Sequence, residues 1–400
     1  MVSQSTSEVT THDQEHQVLF EAATGESLSS MKRAVRLAYS FEHELLRRGR
    51  SPGELDSRYL NDLLRLGGSA GSEAIRILQS RGVIRGKPGP HGGLVSLAPS
   101  TEYLRELVLQ YVTHARMTAA SIAEARQAVS FLQTALPATH PGTAVFKFMN
   151  DVLEGLLGRP AVDVQPVRQR AARIARELAA SVLRSGPDPA VRENLRLGHE
   201  DELCERFNVS RPVMRQAIRI LEAQALVETR RGRGCGLFLA PPQPGPVARL
   251  IGLWMRNSNL SLSDVLDIER PLRTAVAVAA SRSSRCVPDH AVFGLQQRSE
   301  AEGGIKLLAL IDMEKTISWL AGNPLLDLFL RTMTIYKISA GQYRQCDARG
   351  LEPFLAINRS LLQSLLTRNE TRIERACEQK NECLRGYDLS FGATASVAAN

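Results

Sequence analysis

Residues 74–85 read AIRILQSRGVIR and residues 217–228 read AIRILEAQALVE, so the chain carries one of its own segments twice, 143 positions apart. Under the same offset GGLV at 92–95 falls on CGLF at 235–238. Upstream, a helical pattern at about 30–48 corresponds to one at about 167–184. The order helix, Pro/Gly turn, short helix, helix, Gly-rich hairpin is therefore expected twice. A period this long marks a duplicated domain, because solenoids and arrays repeat within a few tens of residues. Helical sequence follows each copy. Residues 102–136 and 144–157 form a short set, and 247–386 form a longer one with Val265, Ile268, Leu272, Val276 and Ala279 at three- and four-residue spacing.

The breakers GRPAVDVQP at 158–166, GPDP at 186–189 and PPQPGP at 241–246 mark the joints. Aromatic residues are only 5% of the chain, and Ala, Leu and Arg, which lose little on entering a helix, are abundant. The expected fold is mainly α, with two winged helix-turn-helix domains carrying small β-wings and an all-helical C-terminal effector-type bundle. The boundaries are a disordered tail at 1–25, a degenerate winged helix-turn-helix at 26–98 and a truncated helical segment at 99–160. A DNA-binding winged helix-turn-helix at 165–241, a helical effector and dimerisation domain at 247–388 and a disordered tail at 389–400 complete the chain.

The first 20 residues lack a basic stretch followed by an apolar core, and no apolar run reaches the ~18–20 residues that span a bilayer. The six cysteines include no Cys-x-x-Cys pair and read as reduced thiols. A cytoplasmic protein with no membrane partner is expected. The formal charge of +8 is compatible with a polyanionic partner without requiring one, so the placement of the arginines decides the matter.

That placement is clearest at 197–240. A short helix at about 200–207 precedes the turn Asn208-Val209-Ser210. Ser210 is a good N-cap, and Pro212 is tolerated in the first turn because its missing N–H has no partner there. The next helix, to about 223, carries the apolar stripe Met214, Ala217, Ile218 and Leu221, with Arg211, Arg215 and Arg219 off it at four-residue steps. Such a helix fits the major groove, where an arginine grips guanine O6 and N7 with two parallel hydrogen bonds. Leu226-Val227-Glu228 and Leu237-Phe238-Leu239 pair as strands around the tip RRGRGCG, whose Arg231, Arg233 and Gly234 suit phosphates or the minor groove.

The stretch VSRPVMRQAIRILEAQALVETRRGRGCGLFL resembles the DNA-binding domain of GntR-family regulators, FadR-like branch. The resemblance implies that Ser210, Arg211, Pro212 and Arg215 meet bases and phosphates and that Arg233 and Gly234 approach the minor groove. It departs at Glu200-Asp201-Glu202-Leu203, where an aspartate stands in place of the family's backbone-contacting arginine. The first copy, RLGGSAGSEAIRIL, is two residues shorter between its capping serine and the AIRIL alanine, and Gly71 and Ser72 replace Met214 and Arg215. Ser72, Arg76, Lys87 and His91 are left as weak DNA contacts.

Residues 247–386 resemble the helical effector domain of that branch, called FCD, through LSDVLDIERPLRTAVAVAAS (262–281), WLAGNPLLDLFLRTM (319–333) and a closing pair near 355–385. Many relatives hold a divalent metal there with one Asp and three His. Here the histidine positions carry Glu314, Asn358 and Lys380 or Asn381. An ammonium cannot ligate, so no metal and no cofactor is expected. Arg273, Arg331 and Arg344, with Lys337, are candidates to neutralise a small organic-acid or acyl-type effector.

The sequence has no Gly-Lys-Ser/Thr phosphate loop, no Gly-x-Ser-x-Gly elbow and no His-Glu-x-x-His, so an enzyme is not expected. The expectation is a sequence-specific, ligand-responsive transcriptional regulator that binds double-stranded DNA as a homodimer. A ligand-independent architectural DNA-binding protein is the alternative.

Overall fold

A computed structural model of the chain describes residues 16–48, 68–87, 93–158, 169–184, 195–232, 235–258, 260–285, 303–340 and 352–397. Among the described residues it is mainly helical, with two small antiparallel sheets. The chain divides into two compact units, neither contiguous. A head unit comprises residues 27–116 and 155–257, and a helical unit comprises residues 1–26, 117–154 and 258–400.

In the head unit the first repeat supplies α2 (Arg33–Arg48), α3 (Ser69–Ser80) and the hairpin β1 (Ile84–Lys87) with β2 (Gly93–Ser96), followed by α4 (Thr101–His114). The second supplies α7 (Arg170–Arg184), β3 (Arg196–Gly198), α8 (Glu200–Phe207), α9 (Arg211–Ala223), β4 (Val227–Arg230) and β5 (Gly236–Leu239), then α10 (Gly245–Arg256). Apolar periodicity explains the match. Ala74, Ile77 and Leu78 on α3 and Ala217, Ile220 and Leu221 on α9 are all buried, at equal spacing. Around α9 they join Ile174, Leu178, Leu203, Leu226, Leu237 and Leu239 in one core.

The second sheet has the order β3-β5-β4. The wing pair runs from Val227 opposite Leu239 to Arg230 opposite Gly236. The third strand, β3, was not expected: Arg-Leu-Gly is too short to show period-two alternation. Gly236 is required where β5 meets β3. Its φ is +141°, and a Cβ there would lie 3.0 Å from the carbonyl oxygen of Gly198.

The helical unit contains α1 (16–24), α5 (Ala119–Ala135), most of α6 (Thr143–Leu156), α11 (Leu262–Arg282), α12 (Gly303–Ala321), α13 (Pro324–Ser339), α14 (Glu352–Leu366) and α15 (Glu370–Val397). Ser261 starts α11 with a capping box: its hydroxyl accepts from the Asp264 N–H, while Asp264 Oδ2 accepts from the Ser261 N–H at 2.8 Å.

Three expected boundaries are corrected. The tail at 1–25 is helical over 16–24 and packs Leu19, Phe20 and Ala23 inside, a short stripe at helical spacing that the polar flanks conceal. Residues from 389 continue α15 to Val397. The segment 99–160 is not one piece, because α4 belongs to the head unit while α5 and most of α6 belong to the helical unit. Burial of helix faces, not chain order, sets the partition.

Candidate nucleic-acid interface

The turn joining α8 to α9 is built by Asn208, which takes the left-handed conformation at φ 49° and ends α8. Ser210 occupies the N-cap position of α9 with extended backbone, and Pro212 lies in the first turn. The serine hydroxyl makes no capping hydrogen bond, contrary to the sequence expectation, and Ser210 is exposed. Arg211 and Arg215 are also exposed, with about 63% and 62% of their side chains open. The opposite side of the same helix, at Met214, Ala217 and Leu221, is closed. One helix thus has an anchored apolar face and an open basic face.

Both arginines lean on the acidic start of α8. Arg211 Nε is 2.8 Å from Asp201 Oδ1, and Arg215 Nε donates to Glu200 at 2.9 Å. Carboxylates at a helix N-terminus complement its dipole, which accounts for Glu200-Asp201-Glu202 there. Exposed ion pairs contribute only ~0–1 kcal/mol, so these guanidiniums are readily surrendered to a stronger anion.

Arg219 is placed differently. Its Nε lies 3.3 Å from Glu73 of α3 and its Nη1 2.6 Å from Glu222, with 26% of the side chain open. One turn beyond Arg215, α9 turns against α3, and the third guanidinium is held inside the head unit. This departs from the expectation that all three arginines share one open face.

On the wing, Arg231 is exposed, while Arg233 and Gly234 lie outside the described residues. Arg230 stacks over the Phe238 ring at 4.4 Å and pairs with Glu228, which stiffens the base of the wing. Arg196 on β3, 3.5 Å from Glu202, is a further exposed cation beside the wing that sequence reasoning missed with its strand. In the first repeat, Ser72 and Arg76 are exposed on α3. The expected capping serine is instead the first helical residue, preceded by Gly68 at φ 55° with no side-chain cap. Lys87 ends β1, and His91 lies outside the described residues.

Three of the cations expected to meet an effector, Arg273, Arg331 and Lys337, are internal to the helical unit. Arg273 and Lys337, each about 4% open, converge on Glu269 at 2.7 Å. Arg331 bonds Asp327 at 3.2 Å and the Ala23 carbonyl at 2.8 Å, and Arg344 is outside the described residues. Glu314, Asn358, Lys380 and Asn381, expected from the resemblance to fill the three histidine positions with Lys380 and Asn381 as alternatives for one of them, lie within one buried hydrogen-bonded cluster with Arg273. Lys380 Nζ donates to Glu314 and, at 2.8 Å, to Asn358 Oδ1, while Arg273 donates to Asn381. Burial pushes the Glu314 carboxyl up, but Lys380 and Arg273 outweigh it and hold it down at about 2. Burial also lowers Lys380, opposed by Glu314. A divalent ion does not fit here, since the ammonium of Lys380 has no lone pair to offer and already satisfies the oxygens around it. Among the described residues no group of three His, Cys, Asp or Glu side chains converges as a metal site would. Beside this cluster, α5, α11 and α15 border a cavity of about 920 Å³ lined by Phe131, Pro271 and Val278, by Arg270, Arg282 and Arg385, and by the carboxylates of Glu124, Asp267, Glu374 and Glu378.

Residues 190–237 match the family described as bacterial regulatory proteins, gntR family. The matched segment runs through β3, α8, α9 and the wing to the second residue of β5. A relative in Mycobacterium gastri, named "Putative HTH-type transcriptional regulator RmpR", is 33% identical over 110 residues, 28% of this chain. The chain spans 36% of that relative's length. A solved structure, Streptococcus agalactiae GntR, is similar over 54% of this chain and 98% of its own, with 19% identity and a TM-score of 0.36. No helix among the described residues is long and apolar enough to cross a membrane.

Proposed function

We propose that this chain is a sequence-specific, double-stranded-DNA-binding transcriptional regulator whose reading head is α8, α9 and the β4–β5 wing. The observation that carries the reading is the two-sidedness of α9. Arg211 and Arg215 stand open on one side while Met214, Ala217 and Leu221 anchor the other, inside the segment that matches the gntR family. In this reading the arginines exchange Asp201 and Glu200 for base edges and phosphates. Ser210 and Pro212 set the helix start against the backbone, and Arg231, Arg233 and Gly234 carry the wing toward the minor groove. Arg219 acts within the protein and not on DNA.

The helical unit is proposed to respond to a small effector, and the cavity bordered by α5, α11 and α15, lined by Phe131, Pro271 and Val278 and by side chains of both charges, supports that role better than the sealed Arg273 does. A ligand favouring one arrangement of this unit shifts operator affinity by its differential binding.

Selection of binding sites from random duplexes with the purified chain tests the reading. The expected result is a defined consensus bound in competitor DNA. R211A and R215A should each weaken binding to it by about 1–3 kcal/mol. Equal retention of all sequences would remove the claim of sequence specificity.

A further inference from the structure

The 143-residue offset extends past the hairpins. It places Leu104, Leu107, Val108 and Val112 of α4 on Val247, Leu250, Ile251 and Met255 of α10, and all eight are buried. In the opening helices an offset of 137 aligns RAVRLA at 33–38 with RAARIA at 170–175 and brings Ala38, Phe41 and Leu45 onto Ala175, Leu178 and Val182, again all buried. These correspondences allow the packing of the head unit to be read as a relation between repeats.

The contacts cross. Helix α2 of the first repeat packs on α10 of the second, and α7 of the second packs on α4 of the first. The counterparts α3 and α9 pack on each other, as do α4 and α10. Reciprocal crossing contacts around self-equivalent pairs are the signature of a two-fold, isologous interface, which ordinarily joins two identical subunits. Here both partners lie in one polypeptide. The helical unit shows a like-with-like pair of its own: α5 and α11, capped by Thr118 and Ser261 at the same 143-residue offset, pack together.

The side chains at the crossing are not interchangeable. Position 39 aligns with 176, and position 106 with 249, so the same two positions meet on both sides of the interface. On one side Arg249 stacks over Tyr39 at 4.4 Å and donates to buried Glu42 at 2.7 Å. On the other, Arg176 donates to Glu106 at 2.6 Å. The charge is reversed between the two. Two copies of the second repeat would set Arg176 against Arg249, cation on cation. Two copies of the first would set Glu106 near Tyr39 and Glu42, acid beside acid. Only the unlike pair satisfies both contacts. Arg81 strengthens it by holding Glu42 at 2.6 Å while reaching the Ala223 carbonyl across the repeats.

We propose that the two repeats are matched halves of an internal pair: one chain builds the two-headed unit by itself, and its pairing faces reject a second copy of either half. Like-charge contacts are a common way to exclude a wrong partner. The pairing supplies within one polypeptide what a homodimer otherwise provides. Combined with the DNA-reading proposal, on which this clause rests, it makes the bound unit one chain on a site without two-fold symmetry. One half of that site is read by Arg211 and Arg215, and the other faces Ser72 and Arg76.

The pairing is tested without DNA. E73C and R219C are introduced together in the full chain, at positions that face each other across the repeats, and treated at low concentration with a short thiol-to-thiol cross-linker. Single-cysteine variants serve as controls. A cross-link that stays within one chain, independent of concentration, is expected. Cross-linked dimers, or no link beyond the controls, overturn the internal pair. Charge reversal provides a second reading that does not depend on linker geometry. E106R should lower the thermal midpoint and R176E should restore it in the double variant; failure to restore would show that the two positions do not meet. On the selected DNA, one chain per asymmetric site is expected, and two chains on a palindrome contradict the single-chain unit. An intrachain cross-link in a protein that binds no DNA would sink the regulatory reading and leave the pairing standing.

Discussion

Two basic sites, Arg211 with Arg215 on α9 and Arg273 on α11, hold their charge in opposite ways, although Arg270 and Arg282 of α11 are themselves more than half open. On α9, Arg211 and Arg215 stand more than half open and are held by exposed acids. On α11, Arg273 is nearly sealed and shares Glu269 with Lys337. The phase of the apolar stripe explains the difference. The arginines of α9 fall between the rows occupied by Met214, Ala217 and Leu221. Glu269 and Arg273 fall in the same rows as Val265, Leu266, Leu272 and Val276, and all are buried. A charge in phase with the stripe is drawn inside and needs a partner there; a charge out of phase remains available to another molecule.

Five substitutions test that contrast. The largest effect is expected from E269Q, which leaves Arg273 and Lys337 buried without their shared carboxylate. Urea unfolding should show a loss of about 3–5 kcal/mol. R215A should stay within about 0.5 kcal/mol of the parent in the same assay. Equal losses would mean that the two helices do not differ as described.

The acid limb comes next. Glu314 is held at about 2 in the fold against an ordinary value of 4.5. A depressed carboxylate contributes stability that is complete above its unfolded value and disappears as pH falls through the folded one. The parent should therefore lose roughly 3 kcal/mol between about pH 5 and pH 2 through this group. E314Q should be less stable at neutral pH and show a flatter slope over that interval. An unchanged slope would place the acid sensitivity elsewhere.

Smaller effects are expected at the head. D201N frees Arg211 from its exposed partner, and because such pairs are worth ~0.2–1 kcal/mol, DNA should bind a few-fold more tightly, by gel shift at fixed salt. R76A, on the first repeat's counterpart of α9, should change specific affinity by under about 0.5 kcal/mol. A larger loss from R76A than from R215A would reverse the ranking of the two heads.

The second head was legible in its sequence because each local signal pointed the same way. The bounds of α8 and α9 follow from the Asn208-Val209-Ser210 turn, and the wing from two short apolar runs around a Gly-rich tip. The partial cover on Arg219 was not legible, because stripe phase describes one helix alone and the acid that meets it, Glu73, belongs to α3, 146 residues earlier. Glu269 and Arg273 were legible in principle, since their phase with Val265 and Val276 marks them as inward. The crossing of the repeats was not. The repeated segment points to two similar halves, whereas the proposed pairing depends on Tyr39, Glu106, Arg176 and Arg249, residues in which those halves differ. Strand β3 and helix 16–24 escaped notice because each carries too few residues to establish a period.

Whether Arg215 reads a base separates a DNA-reading helix from a merely solvated basic face. Binding-site selection run in parallel with the parent chain and with R215A measures this directly, position by position. The expected result is loss of preference at one base pair, with the remaining consensus and the salt dependence nearly unchanged. An R215A consensus identical to the parent's at every position, or a uniform weakening across all sequences, would show that the open face of α9 does not read DNA.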